Sequence, residues 1–168
     1  VDVDGRPDVI VSNGGNHNNV IVLLSQADGE LTALPPLPIG EKVEGLALGQ
    51  FNPGPELDLA IVTQRPESFP GNSSNQLHLL HGDGAGAFSA NQVVDLHAAP
   101  KEIVTGDFNG DDLSDLLIAF NPTGELQLFI NTGSSVTGLT PIKLAQACGV
   151  QVAAIYHYFE SKDALLAA

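Results

Sequence analysis

The stretch GDFNGDDLSDLLIAF (residues 106–120) decides how this chain folds. It places four oxygen-bearing side chains, Asp107, Asn109, Asp111 and Asp115, in a tight loop directly before an apolar run. A short run of Leu, Ile, Ala and Phe bounded by Gly, Asn and Asp reads as a strand, not a helix. The same arrangement stands twice upstream, in VDVDGRPDVIVSN (1–13) and QFNPGPELDLAIVTQ (50–64). The anchors Asp8, Asp58 and Asp115 are spaced 50 and 57 residues apart. A second apolar run follows each anchor, at Val20–Leu24, Leu77–Leu80 and Leu126–Ile130. Asp28-Gly29 and Asp83-Gly84 follow the first two of these and read as hairpin turns. Further runs at Gly45–Leu48 and Ile103–Val104 lead into the next acidic loop. Each unit therefore offers three or four strands of antiparallel sheet, and a period near 50 marks a repeat architecture.

Units of this length with a D-x-N-x-D-x-x-x-D loop resemble the FG-GAP/VCBS repeats of integrin-type β-propellers. Residues 106–120 are similar to that family's signature, and QLFINTG (127–133) to the strand that follows it. The resemblance covers roughly residues 1–135. It implies a mainly β fold, a partial β-propeller arc of about three units, because about 4–8 blades are needed to close a ring. It also implies a calcium-stabilised binding or adhesion module, extracellular or at the cell surface. Its ligand would be a protein or carbohydrate that the sequence does not name.

The loop chemistry is legible from the residues themselves. Asp107, Asn109, Asp111 and Asp115 hold positions 1, 3, 5 and 9, Leu113 at position 7 offers a carbonyl, and Gly110 permits the bend. Hard oxygen donors at that density suit Ca2+. A solvated acidic turn is the alternative. In the first unit Asp2, Asp4 and Asp8 occupy positions 3, 5 and 9, and position 1 would precede Val1, so the chain is expected to be a fragment beginning inside a metal loop. In the second unit Gln50, Asn52, Gly54 and Asp58 leave one carboxylate, stiffened by Pro53 and Pro55. That loop is expected to keep the shape without the ion.

Composition divides the chain. There are 20 acidic residues against 6 Lys and Arg, a net charge of -14, and residues 140–168 carry none of the excess. That balance opposes phosphate-backbone binding by the molecule as a whole. Both tyrosines, Tyr156 and Tyr158, and the single Cys148 fall in the tail. One cysteine forms no intrachain disulfide. No apolar run is long enough to span a membrane. The expected division is 1–135 for the repeats, 136–139 for a junction, and 140–168 for an α-helical tail.

Thr140-Pro141 reads as a helix start, with Thr as cap and Pro in the first turn. Leu144, Ala145 and Cys148 then share a face, Gly149 breaks the helix, and Ile155, Tyr156 and Phe159 stripe a second one. Helix, glycine turn, helix is the helix-turn-helix pattern. LAQACGVQVAAIYHYFESKDALL (144–166) resembles the DNA-binding segment of the tetracycline-repressor (TetR) family. The resemblance implies that Val152, Ala153 and His157 face bases while Tyr156 and Lys162 hold phosphates. Gln151 stands where a capping Ser or Thr is usual, Ala153 replaces a common Gly, and the first helix of the unit is missing. The alternative reading is thus a DNA-binding transcriptional regulator of TetR type, which would be cytoplasmic. Specific DNA binding by this chain as it stands is not expected, because neither the partner half-site nor a basic surface is present. Self-association through open sheet faces is expected.

Other motifs carry less. His78 and His81 lie three apart on a strand, on opposite faces, so they share no metal. Residues 82–86, Gly-Asp-Gly-Ala-Gly, lack the Lys and helix of a phosphate loop. Asn72-Ser73-Ser74 is a glycosylation sequon inside a surface loop at 66–75. No catalytic set can be placed, so no enzyme activity is expected.

Overall fold

The computed structural model describes residues 1–13, 18–65, 75–121, 123–133, 136–138 and 142–143. Among them run thirteen strands in three antiparallel sheets. The first sheet holds β1 (Val9–Asn13), β2 (Asn19–Ser25), β3 (Leu31–Ala33) and β4 (Leu37–Pro38), in order β1-β2-β3 with β4 also on β2. The second holds β5 (Lys42–Gly49), β6 (Asp58–Gln64), β7 (Asn75–Gly82) and β8 (Phe88–Leu96), in that order. The third holds β9 (Pro100–Gly106), β10 (Asp115–Phe120), β11 (Glu125–Asn131), β12 (Val136–Gly138) and β13 (Ile142–Lys143). Its order is β12-β11-β10-β9, with β13 also on β11.

The register repeats from sheet to sheet. The residue after each anchor Asp pairs with one on the next strand: Val9 with Leu23, Leu59 with Leu80, and Leu116 with Phe129. The turns are those expected from Asp-Gly. Asp28 Oδ1 accepts the Glu30 N–H at 3.1 Å, and Asp83 Oδ1 accepts those of Ala85 and Ala87 at 2.8 and 3.0 Å. Among the described residues, the first sheet has no counterpart of β5 or β9.

Side-chain alternation explains how the sheets stack. Leu59 and Ile61 turn toward the first sheet and meet Val20, while Ala60 and Val62 turn toward the third. The whole run Asp58–Thr63 is buried, which is why β6 is apolar on both faces. Between the second and third sheets, Phe51, Ala60, Val62, Leu77 and Leu79 pack with Ile103, Leu116, Ile118 and Phe129. Two glycines mark close approaches. A Cβ on Gly45 would stand 2.9 Å from Ile103 Cγ2, and one on Gly82 would stand 2.2 Å from the Leu57 carbonyl oxygen.

The mainly β, antiparallel expectation holds. The helix start at Thr140-Pro141 does not carry into the next residues. Ile142 and Lys143 instead form β13, in register with Leu126 and Glu125. The edge of β11 offers unpaired N–H and C=O groups, and a β-branched residue beside it satisfies them by pairing. Part of the expected junction is likewise β12, on Phe129–Asn131. The rest of the expected helical tail, 144–168, lies outside the described residues, as does the sequon at 72–74.

Candidate functional site

Two places were marked by the sequence, the acidic loops and the tail. In the loops, the three anchor carboxylates make the same pair of bonds. Asp58 Oδ2 accepts the Phe51 N–H at 2.8 Å and its Oδ1 accepts the Gly82 N–H at 3.0 Å. Asp115 Oδ2 accepts the Phe108 N–H at 3.0 Å and its Oδ1 accepts the Asn131 N–H at 2.8 Å. Asp8 Oδ2 accepts from the Val1 nitrogen at 3.0 Å and its Oδ1 from the Ser25 N–H at 2.9 Å. One donor opens the loop, and the other closes the second strand of the unit. Asp58 and Asp115 are 1% and 0% exposed. A carboxylate buried this deeply must be met by charge-assisted hydrogen bonds, and the backbone supplies them.

The outer loop oxygens are also engaged with their own loop. Asp107 Oδ1 accepts the Gly110 and Asp111 N–H groups at 2.7 and 3.2 Å, and its Oδ2 accepts that of Asp112 at 3.0 Å. Asn109 Oδ1 accepts the Asp111 N–H at 3.0 Å. Asp111 Oδ1 accepts the Leu113 N–H at 3.0 Å, and its Oδ2 accepts from Asn109 Nδ2 at 2.9 Å. In the first loop, Asp2 Oδ1 accepts the Asp4 N–H at 3.2 Å, and Asp4 accepts from Arg6, whose guanidinium also pairs with it. The Asp112, Gly110, Asp111 and Asn109 N–H groups hold the Asp107 carboxyl below the usual carboxylate range against a smaller opposing effect of desolvation. Burial pushes Asp8 up, but the Ser25 N–H, the N-terminal ammonium and the Asp2 N–H outweigh it and leave the carboxyl lowered. Among the described residues, no group of three or more His, Cys, Asp or Glu is gathered so as to hold a metal. Of the set expected to ligate Ca2+ (Asp107, Asn109, Asp111, Leu113 and Asp115, with Asp2, Asp4 and Asp8), the side-chain oxygens accept from N–H groups of the chain, and Leu113 contributes its own N–H to Asp111.

The second loop departs from the expectation that it keeps the shape of the others. Val3 and Gly5 in the first loop, and Gly110 and Asp112 in the third, have φ of 52°, 83°, 82° and 66°. These are positions 4 and 6. Pro53 and Pro55 fill both in the second loop, and a proline ring forbids positive φ. That loop keeps the anchor clamp and follows a different path. Asn52 Nδ2 donates to both Asp58 oxygens at 2.7 Å. The loops also brace one another: Ser114 Oγ accepts the Gln50 N–H at 3.0 Å, and Asn131 Nδ2 donates to the Gln50 carbonyl at 3.0 Å.

A polar cluster that the sequence did not disclose lies at the far end of the second sheet. Thr63 Oγ1 donates to Glu41 Oε2 at 2.7 Å and lies 3.3 Å from His78 Nε2, while Arg65 Nε pairs with Glu41 Oε1 at 3.2 Å. Burial lowers the His78 pKa, and the Glu41 charge offsets this only in part. Thr63 is fully buried, while the Arg65 side chain at the other end of the cluster is 42% exposed. No local signal could have revealed it, because strand pairing alone brings its members together. His81 Nε2 is buried elsewhere without a hydrogen-bond partner, so the two histidines share nothing.

A cleft of about 320 Å³ opens where β1, β5, β6 and β9 meet. Its lining is aliphatic apart from Thr105, whose hydroxyl is already donated to the Leu48 carbonyl at 3.0 Å. Among the described residues, no helix is long and apolar enough to cross a membrane.

The residues expected to meet DNA, Val152, Ala153, Tyr156, His157 and Lys162, lie outside the described residues. The comparisons bear on them. The family model for bacterial regulatory proteins of the tetR family matches residues 127–168, about a quarter of the chain. A comparison with curated proteins finds no match. The match corrects the leading functional expectation. The calcium-stabilised adhesion module at the cell surface finds no support, and the match favours its alternative, a regulator of TetR type. The FG-GAP/VCBS resemblance over 1–135 has no family match beside it. The matched segment begins inside β11, where Phe129 is 2% exposed and Asn131 closes the Asp115 clamp. Its first residues are therefore held in the third sheet.

Proposed function

We propose that this chain acts as a DNA-binding transcriptional regulator of TetR type, through residues 144–166. The observation that carries the reading is the tetR-family match over residues 127–168. The segment's own sequence supports it: a glycine break at Gly149 between two apolar stripes, and the run Ile155-Tyr156-His157-Tyr158-Phe159 ahead of Lys162. On this reading Val152, Ala153 and His157 meet base edges, and Tyr156 and Lys162 meet phosphates. The three sheets, read as an arc of propeller type, form an acidic body that carries the segment and contacts no nucleic acid. The chain works by binding and not by catalysis, in the cytoplasm.

The acidic body sets the strength of binding. A net charge of -14 opposes the electrostatic attraction that supplies most non-specific affinity. A single copy is therefore a weak binder, and specificity depends on presenting two segments to two half-sites. The test is selection of bound duplexes from a randomised pool, followed by fluorescence anisotropy over a salt series. A recurring palindromic sequence that outcompetes random duplex supports the proposal. Retention of no sequence above the random pool overturns it.

A further inference from the structure

We infer that β13 is a switch on the tail: Ile142 and Lys143 lie either as a strand on the edge of β11 or in the first turn of a helix, and only the helical state presents residues 144–166 to DNA. The inference rests on the reading of those residues as a TetR-type segment. Its physical basis is that two structures claim the same two residues.

The strand claim is seen directly. Ile142 and Lys143 run antiparallel to β11, in register with Leu126 and Glu125. Lys143 thus stands across from a residue of opposite charge, an arrangement that favours strand pairing. The helix claim is local. Thr140 is a capping residue and Pro141 suits the first helical position, so Ile142 and Lys143 become the second and third. Their N–H groups are then the ones a Thr140 cap would take. Strand and helix need opposite signs of ψ, so one backbone cannot satisfy both claims at once.

The two claims are of similar weight. β13 is two residues long and lies off the main path of its sheet. Two edge pairs and one helix cap are both small contributions, so a modest bias moves the balance. The balance stops at β11. Phe129 is 2% exposed, and the Asn131 N–H is held by Asp115, so β11 stays in the sheet in either state. The tetR-family match runs across this boundary, from residue 127 inside β11 through β13 to residue 168. Its first residues are fixed, and the switch point falls at 142–143.

The consequence for binding follows from the helical register. Leu144, Ala145 and Cys148 form the face on which the stripe of Ile155 and Phe159 would rest. A chain extended through Lys143 has no capped first turn from which to build that face. DNA binds the helical state alone and therefore draws β13 off the sheet, while the edge of β11 opposes binding by the same coupling.

The test uses the full chain, with Ile142→Ala, Ile142→Val and Thr140→Val. Alanine favours the helix and removes a strand-forming side chain, and position 142 lies off the face of Leu144, Ala145 and Cys148. Valine at 142 keeps the strand preference, and valine at 140 removes the cap. Carbon-13 shifts of residues 142–148 report the state without DNA, and fluorescence anisotropy on the selected duplex reports binding. Wild type should show strand shifts at 142 and 143. Ile142→Ala should show helical shifts and bind at least about fivefold tighter, the lower end of ordinary couplings. The two valine variants should keep strand shifts and bind no better than wild type. Helical shifts in free wild type, unchanged shifts in Ile142→Ala, or helical shifts with unchanged affinity would each overturn the switch. Helical shifts in Ile142→Ala with no duplex bound by any variant would uphold the exclusion of strand by helix and overturn the regulator reading instead.

Discussion

The backbone N–H of Asn131 donates to Asp115 Oδ1 at 2.8 Å, and both residues are buried, at 1% and 0% exposure. This bond joins the first residue of β10 to the last residue of β11 and fixes where the strand pair ends. The second oxygen of the same carboxylate holds the loop through Phe108. Gly82 stands to Asp58 as Asn131 stands to Asp115, and Ser25 stands so to Asp8. The anchor aspartates are therefore clamps, and their removal orphans buried donors.

Asp58→Ala leaves the Phe51 and Gly82 N–H groups without their acceptor in the most buried sheet. Each buried unsatisfied donor costs on the order of 1–3 kcal/mol, so a loss of about 3 kcal/mol is expected. Asp115→Ala should cost a similar amount, and Asp111→Ala, on an exposed loop, well under half of it. Urea denaturation of the three variants checks the order. Equal losses at all three would mean that the clamp is not the source.

The loop from Asp107 to Asp115 holds its shape through N–H donors. Whether Ca2+ also sits there is read with chelator: an ion that binds the native state stabilises it by mass action, so if the oxygens of Asp107, Asn109, Asp111 and Asp115 hold one, its removal lowers the melting temperature. Differential scanning calorimetry with and without chelator is the measurement. A fall in melting temperature that Asp111→Ala abolishes would place Ca2+ at this loop.

Stability should fall as pH drops through about 6.5, the ordinary histidine value. Burial lowers the folded-state pKa of His78, so below that pH the unfolded chain binds a proton that the folded chain resists. More protons on the unfolded state means that stability rises with pH, is complete above about 6.5 and is lost below it. His78→Gln keeps a polar group near Thr63 and should flatten this part of the profile. Urea midpoints across the range would show it, and an unchanged slope in the variant would assign the effect to another group.

Lys162→Ala should weaken binding to all duplexes about equally and reduce the salt slope by about 1, the signature of one phosphate contact. His157→Ala should instead change which duplexes are preferred. Anisotropy titrations on selected and random duplexes separate the two. A uniform loss in both variants would remove His157 from base contact.

Strand positions and turns were legible in the sequence because they depend on neighbours along the chain. Apolar runs bounded by Asp, Gly and Asn form strands wherever they pair, and Asp28-Gly29 and Asp83-Gly84 turn because Asp accepts from the backbone two residues on. The spacing of Asp8, Asp58 and Asp115 likewise disclosed three equivalent units. The tail's helix-turn-helix resemblance was legible too, since it rests on residue identity within one short segment. Tertiary structure alone decided what the anchor aspartates do, because Ser25, Gly82 and Asn131 bring the second donor from the far end of another strand. It also made Ile142 and Lys143 a strand: a cap signal is local, whereas the open edge of β11 exists only once the third sheet has formed. Finally, it separated Phe51 from Phe108, which hold the same position in the same motif. One is buried because a further sheet lies over it, and the other is exposed because no sheet among the described residues does.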